Sequence, residues 1–267
     1  MLLAILPRGL NIACNWATLG LMSHGFFTTI FSQPLYNGLI FLIHLVPGGD
    51  AGVAIIIFTI IVRLVLYPLS KRSVLTQLRM KQVEGEIEQI KSKFKNKTEQ
   101  AAKIMEFYRE KGLNPLSGFV LILIQIPIIL ALYSVFLKSG LPHVDTALLY
   151  SFVPTPALLN MQFLGILDIS AKSYLLAFIT AVSQFFQVRF SMPAAKPQQS
   201  TDTFKDNLAR SMNVQMRYLF PIMAFFIVYN LSGTIALYWT TNNIFAMAQE
   251  WYIRKKFTKT PVQTKVI

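Results

Sequence analysis

The stretch AGVAIIIFTIIVRLVLYPLS, residues 51–70, carries one charged side chain, Arg63, among otherwise apolar or uncharged positions. About 20 residues of this kind cross the ~30 Å hydrocarbon core of a bilayer. Lipid offers the backbone no hydrogen-bond partners, so such a segment is predicted to be a membrane-spanning helix. Arg63 is its anomaly, lying roughly 10 Å inside the end of the stretch at ~1.5 Å per residue. An arginine at that depth costs on the order of 2.5–3.5 kcal/mol on insertion scales. Snorkelling toward the headgroups lowers the cost, but from here it would be strained. The acidic residues are Asp50, Asp145, Asp168, Asp202, Asp206, Glu250 and the glutamates between positions 84 and 110, and none falls in the middle of an apolar run. Arg63 is therefore expected to be solvated by water, carbonyls and neutral side chains. That requires a hydrated cavity at membrane depth, which a visiting anionic segment could enter.

Outward from this segment the same pattern recurs. Further spans are predicted at about 116–137, 171–190, 214–230 and 233–252, the last two joined by the short turn Leu231-Ser232-Gly233. Residues 26–46 are apolar but contain Gln33, Pro34, Asn37 and His44, which suits a kinked amphipathic helix in the interface better than a span. Between the first two spans, Val83, Ile87, Ile90 and Phe94 repeat at helical spacing. Asn96-Lys97-Thr98 offers a break and an N-cap, and Gly112 with Asn114-Pro115 offers a stop. Residues 71–113 thus read as a helical hairpin outside the membrane. Residues 139–170, with three prolines, read as a loop with short interfacial pieces. The expected fold class is all-α: a polytopic bundle of five transmembrane helices, a cytoplasmic helical hairpin and an interfacial amphipathic helix. Residues 1–25 receive no assignment, and 257–267 form a basic tail.

Composition agrees. Of the 267 residues, 54% are hydrophobic and 14% charged, where a soluble domain carries about a quarter charged residues. The formal charge of +13 could signal nucleic acid, but the basic residues cluster between Lys71 and Lys111 and again from Arg254 to Lys265. Such clustering is what orients a membrane protein, and it puts the 71–113 hairpin and the C-terminus on the cytoplasmic side with the N-terminal region outside. No DNA partner is implied. The lone Cys14 excludes an internal disulfide, and its context Asn11-Ile12-Ala13-Cys14 is a poor lipidation site.

Neutral polar residues are spaced to line the cavity that Arg63 requires. Gln125 lies in the second span, Gln184 and Gln187 in the third, and Trp239, Asn242 and Asn243 in the fifth. Singly, each is better read as an interhelical hydrogen bond that holds the bundle together; beside an unpaired arginine, a shared groove is the better account. The chain contains no phosphate-binding G-x-x-x-x-G-K-[ST] loop. His24, His44 and His143 lie outside the five spans, and neither a catalytic dyad nor a metal-ligand cluster is spelled out. No enzymatic activity and no cofactor are expected.

Several ordered motifs resemble the YidC membrane-insertase family. They are Phe31-Ser32-Gln33-Pro34-Leu35, Ile61-Val62-Arg63 with Tyr67-Pro68-Leu69, Asn114-Pro115-Leu116, Leu123-Ile124-Gln125-Ile126-Pro127, and Ser232-Gly233 with Leu237-Tyr238-Trp239 and Asn243. The likeness covers residues 26–256. It implies a five-helix core in the bacterial cytoplasmic membrane, with a hydrophilic groove open to cytoplasm and lipid. Arg63 matches the groove arginine implicated in receiving polar parts of nascent membrane proteins, and Gln125, Gln187 or Gln184, and Trp239 look similar to groove residues, with Asn243 in the same motif as Trp239. The Sec translocon, the ribosome and targeting factors are the further partners it suggests. Gram-negative members carry an additional N-terminal span and a periplasmic domain that 25 leading residues cannot hold, so a short-form member or a truncated copy is expected. A channel or lipid scramblase, and an assembly chaperone for membrane complexes, are the rival functions.

Overall fold

The computed structural model describes residues 28–94, 96–114, 135, 141–192 and 211–258. The predicted second span, with Gln125, lies outside these residues except for Val135, which is buried in the core. The chain is mostly helical. A π-helical turn, Thr28–Ser32, leads into α1, Gln33–Leu45. Then come α2 (Ala51–Val65), α3 (Tyr67–Gln82), α4 (Glu84–Lys93) and α5 (Lys97–Glu110). After a loop follow α6 (Tyr174–Ser191), α7 (Phe220–Tyr229) and α8 (Gly233–Thr258). The exception to all-α is a hairpin of two-residue strands, β1 (Gln162–Phe163) and β2 (Leu167–Asp168).

The apolar stretch 51–70 is not one straight span. Helix α2 ends at Val65, and α3 starts at Tyr67 with the axis bent by 62°. Pro68, in the first turn of α3, has no N–H to continue the ladder and clashes with a carbonyl one turn back, so the helix breaks where the proline enters. Arg63 consequently sits in the last turn of α2, about 3 Å from its end at ~1.5 Å per residue, rather than roughly 10 Å inside a longer span. A cation there also faces the negative end of the helix dipole.

Among the described residues, one helix, Ser211–Tyr229, is by itself long and apolar enough to cross a membrane. It comprises α7 and a π-helical segment, Gln215–Leu219, before it. Helices α6 and α8 are long enough as well, but the polar residues they carry lower their mean hydropathy.

Helix α8 is central, packing on α6, α2 and α3, while α7 packs on α6 and α1 on α2. The apolar core fills one end of the bundle. Tyr36, Leu39, Ile40 and Ile43 of α1, Ala51, Ala54, Ile55 and Phe58 of α2, and Ile235 to Tyr238 of α8 are all buried there. Pro34 begins α1 instead of kinking it.

The polar residues that mark 26–46 as unusual have partners in the loop after residue 140. Asn37 donates to the Leu148 carbonyl (2.9 Å) and accepts from Tyr150 N–H (2.7 Å). Gln33 donates to the same carbonyl (3.2 Å), and Asp145 N–H donates to Tyr36 Oη (2.7 Å). The loop next pairs with the start of α2: Ala51 N–H donates to the Asn160 carbonyl (2.9 Å), and Asn160 N–H to the Gly49 carbonyl (2.9 Å). Gly49 is left-handed (φ 63°), and a Cβ on it would lie 2.2 Å from the Leu158 carbonyl oxygen, so only glycine fits. The loop ends on α8, where Thr234 N–H donates to the Ile169 carbonyl (2.9 Å). One segment thereby ties α1, α2 and α8 together at what we term the loop end.

At the opposite, hairpin end, α4 and α5 pack on each other beyond α3. Asn96 caps α5 by accepting from Thr98 N–H (2.9 Å), and Gln100 closes the turn onto the carbonyls of Lys91 (2.7 Å) and Phe94 (3.2 Å). Helix α4 buries no residue, so its attachment to the bundle is weak.

Candidate polar groove

Helix α6 presents Thr180, Ser183, Gln184, Gln187 and Ser191 at spacings of three and four, which places them on one face. That face meets α8. The Thr180 hydroxyl lies 2.9 Å from that of Thr240, and Asn243 Nδ2 donates to Ser183 Oγ (3.0 Å). Trp239 Nε1 donates to Gln184 Oε1 (2.8 Å), Gln184 Nε2 to Gln187 Oε1 (3.3 Å), and Gln187 Nε2 to Ser191 Oγ (3.2 Å). The Ser191 hydroxyl donates to Glu250, whose other oxygen receives Arg254 Nη2 (2.6 Å) and Nε (3.0 Å). Each group therefore donates to the next down to a carboxylate, which Arg254 neutralises. Glu250 is buried and Arg254 partly exposed. Arg254 also donates to the Phe190 carbonyl (3.2 Å) and sits over the Phe190 ring, 5.1 Å from its centroid.

Arg63 belongs to the other flank of α8. Its Nε donates to Asn242 Oδ1 at 2.6 Å, a neutral partner. Asn242 and Asn243 are consecutive, so they project roughly 100° apart around the helix, one toward α2 and the other toward α6. The structure thus joins Gln184, Gln187 and Trp239 in one chain and seats Asn243 beside it on Ser183. Arg63 is held separately, across α8, and Gln125 is outside the described residues. Measured at ~1.5 Å per residue, Asn243 is about 15 Å from the start of α8, so the polar contacts between α6 and α8 lie on the hairpin side of the apolar core.

Below the ladder, a cleft of about 720 Å³ lies between α3 and α4 on one side and the ends of α6, α7 and α8 on the other. Arg189, Arg217 and Arg254 line its bundle side, and Lys81 and Glu88 its hairpin side. Glu250 and Ser191 belong to both ladder and cleft.

Sequence reasoning did not single out Ser183, Ser191, Glu250 and Arg254 as partners. The signal was available in the spacing of Ser183, Gln184, Gln187 and Ser191, and in the helical i, i+4 pair Glu250 and Arg254. Because the ladder residues satisfy one another, they hold α6 to α8 whatever else they do. Replacing Gln184 by leucine should leave the Trp239 indole N–H unpaired and lower stability by about 1 kcal/mol. Unfolding of the purified protein in detergent reads this. A loss of activity without that loss of stability would instead assign Gln184 to contact with substrate.

Comparison with known proteins identifies the family. A family model described as the 60Kd inner membrane protein matches residues 42–260. The membrane protein insertase YidC of Fusobacterium nucleatum is 31% identical over 212 residues, covering 78% of this chain and 88% of that protein. The YidC proteins of Polynucleobacter asymbioticus and Oleidesulfovibrio alaskensis are 30% and 28% identical, over 89% and 95% of this chain. This chain spans only 38% and 42% of their lengths. The crystal structure of an active YidC insertase with its first transmembrane domain resolved shares the fold, with a TM-score of 0.51 at 24% identity over 92% of this chain and 51% of that one. On the match over residues 42–260 and the near full-length relative, the chain belongs to the 60Kd inner membrane protein, or YidC, family.

Proposed function

We propose that this chain inserts other proteins into the bacterial cytoplasmic membrane without hydrolysing nucleotide. The relatives named membrane protein insertase support that activity. The observation that carries the mechanism is Arg63, held at the end of α2 by neutral Asn242 and so able to attract an incoming carboxylate. In this reading the hairpin end faces the cytoplasm, the bundle crosses with five spans, and the loop end is sealed outside by the apolar core. A polar tail or hairpin loop of a nascent protein enters from the cytoplasm. The polar flanks of α8 solvate it while its apolar segment passes sideways into lipid. Burial of ~20 apolar residues drives the step, aided by a membrane potential worth about 2.3 kcal/mol per charge per 100 mV.

The test is insertion of a small two-span protein into liposomes with and without the purified chain. Protease protection of the substrate should depend on the chain; equal protection in empty liposomes would sink the proposal. Labelled-lipid flux in the same vesicles tests the scramblase alternative, which predicts movement of headgroups with no protein substrate present. The hairpin should assist recruitment. Deleting 84–110, which leaves α3 packed on α8, should reduce insertion at least fivefold while detergent-solubilised protein remains monodisperse. Unchanged insertion would remove the hairpin from the mechanism.

A further inference from the structure

Two features on the α6–α7 face complement each other. The first is an apolar groove of about 540 Å³, lined by Phe178, Val182 and Phe186 on α6 and by Ile222 and Phe226 on α7. Those side chains are exposed, and almost nothing polar enters the groove. The second is a pair of arginines at the hairpin end of the same helices. Arg189 lies one helical turn past Phe185 and Phe186 on α6, and Arg217 one turn before Pro221 at the start of α7. The Phe185 and Tyr218 rings, with centroids 6.3 Å apart, join the two helices at that level.

Arg217 is anchored rather than neutralised. Its Nη2 donates to the Met192 carbonyl (3.0 Å), fixing the end of α6 to the start of α7, and its Nε–H is buried with no partner among the described residues. Arg189 is exposed beside it in the cleft. The carboxylate of that cleft on the bundle side, Glu250, is already taken by Arg254 and Ser191. Two guanidinium groups therefore lie one helical turn beyond the end of the apolar groove, in the cleft whose hairpin side carries Glu84 and Glu88. Arg189 is exposed and supplies the fork that fits a phosphate, and Arg217 adds the terminal donor that Met192 does not take. At the hairpin end they meet the leaflet in which anionic lipid attracts basic side chains.

We propose that the α6–α7 face is a binding site for one anionic phospholipid, its phosphate on Arg189 and Arg217 and an acyl chain along the Phe178–Phe226 groove. The site lies away from Arg63; it rests on the membrane orientation proposed above but not on the insertion step. Charge complementarity selects this occupant over a transiting apolar helix, which would leave both arginines unused.

Native mass spectrometry of the full chain, released from micelles containing phosphatidylglycerol and phosphatidylcholine, tests the site. One phosphatidylglycerol should be retained per chain, with at least tenfold preference over phosphatidylcholine. The double variant Arg189→Gln/Arg217→Gln should abolish the preference, and Arg217→Lys should keep most of it. Val182→Trp, which fills the groove but leaves the charges, should reduce retention of both lipids at an unchanged ratio, and it keeps the test valid if the double variant misfolds. Equal retention of both lipids by the wild-type chain would overturn the proposal, as would an undiminished preference in the double variant. So would a photo-crosslinker at Phe226 that captures a substrate helix and no lipid.

Discussion

Arg63→Ala lowers insertion of a substrate with an acidic translocated tail by about ten- to a hundredfold, because a hydrogen bond to a charged group contributes roughly 1.5–3 kcal/mol. The position of the charge sets this expectation. Arg63 lies in the last turn of α2, donates through Nε to Asn242, and among the described residues keeps its other guanidinium donors for an entering carboxylate. Arg63→Lys keeps the charge as a compact point but loses the fork, so it should retain roughly a third of the wild-type rate or more, within the factor of ten that ~1.4 kcal/mol represents. A substrate with a neutral tail should respond little to either change. Liposome insertion with paired acidic and neutral tails, at a fixed potential, separates these outcomes. If Arg63→Ala inserts the acidic tail at the full rate, Arg63 merely bonds Asn242, and the assembly-chaperone reading takes precedence.

The helices are legible in the sequence where their apolar residues run on, and a bend is not legible where one residue breaks the run. Residues 171–190 and 214–230 were close to the helices observed at Tyr174–Ser191 and Ser211–Tyr229. Hydropathy averages over Pro68 and makes the 51–70 stretch look straight, whereas the backbone answers to its missing N–H and turns by 62°. In the candidate groove, residue types pointed to Gln184, Gln187 and Trp239, whose mutual bonding is a matter of helix register. Asn242 and Asn243 look equivalent in the sequence, yet they serve opposite flanks of α8, since only the packing of three helices decides which flank faces Arg63. Gln33 and Asn37 mark 26–46 as unusual for a span, and they bind a loop more than 100 positions away, a pairing that no local pattern encodes.

That loop is also where the other large effect is expected. Asp50→Ala destabilises the protein by about 2–4 kcal/mol, the sum of a lost helix cap at ~1 kcal/mol and an orphaned backbone donor at roughly 1–3 kcal/mol. Asp50 is 8% exposed and holds two elements at once. Its Oδ1 accepts Val53 N–H (3.0 Å) and caps α2, while its Oδ2 accepts Leu164 N–H (2.8 Å) in the turn between β1 and β2. Asparagine can accept through one oxygen only, so Asp50→Asn should keep the cap and lose about half of that stability, whereas a purely electrostatic role would make Asn as damaging as Ala. Unfolding in detergent gives the magnitude, and limited proteolysis between residues 158 and 168 shows whether the loop has come free. If insertion depends on an outer seal, Asp50→Ala liposomes should also leak small ions during insertion while Gln184→Leu liposomes stay tight. A leak in both would trace it to general loosening of the bundle, and a tight Asp50→Ala vesicle with a freed loop would leave the apolar core, not the loop, as the barrier.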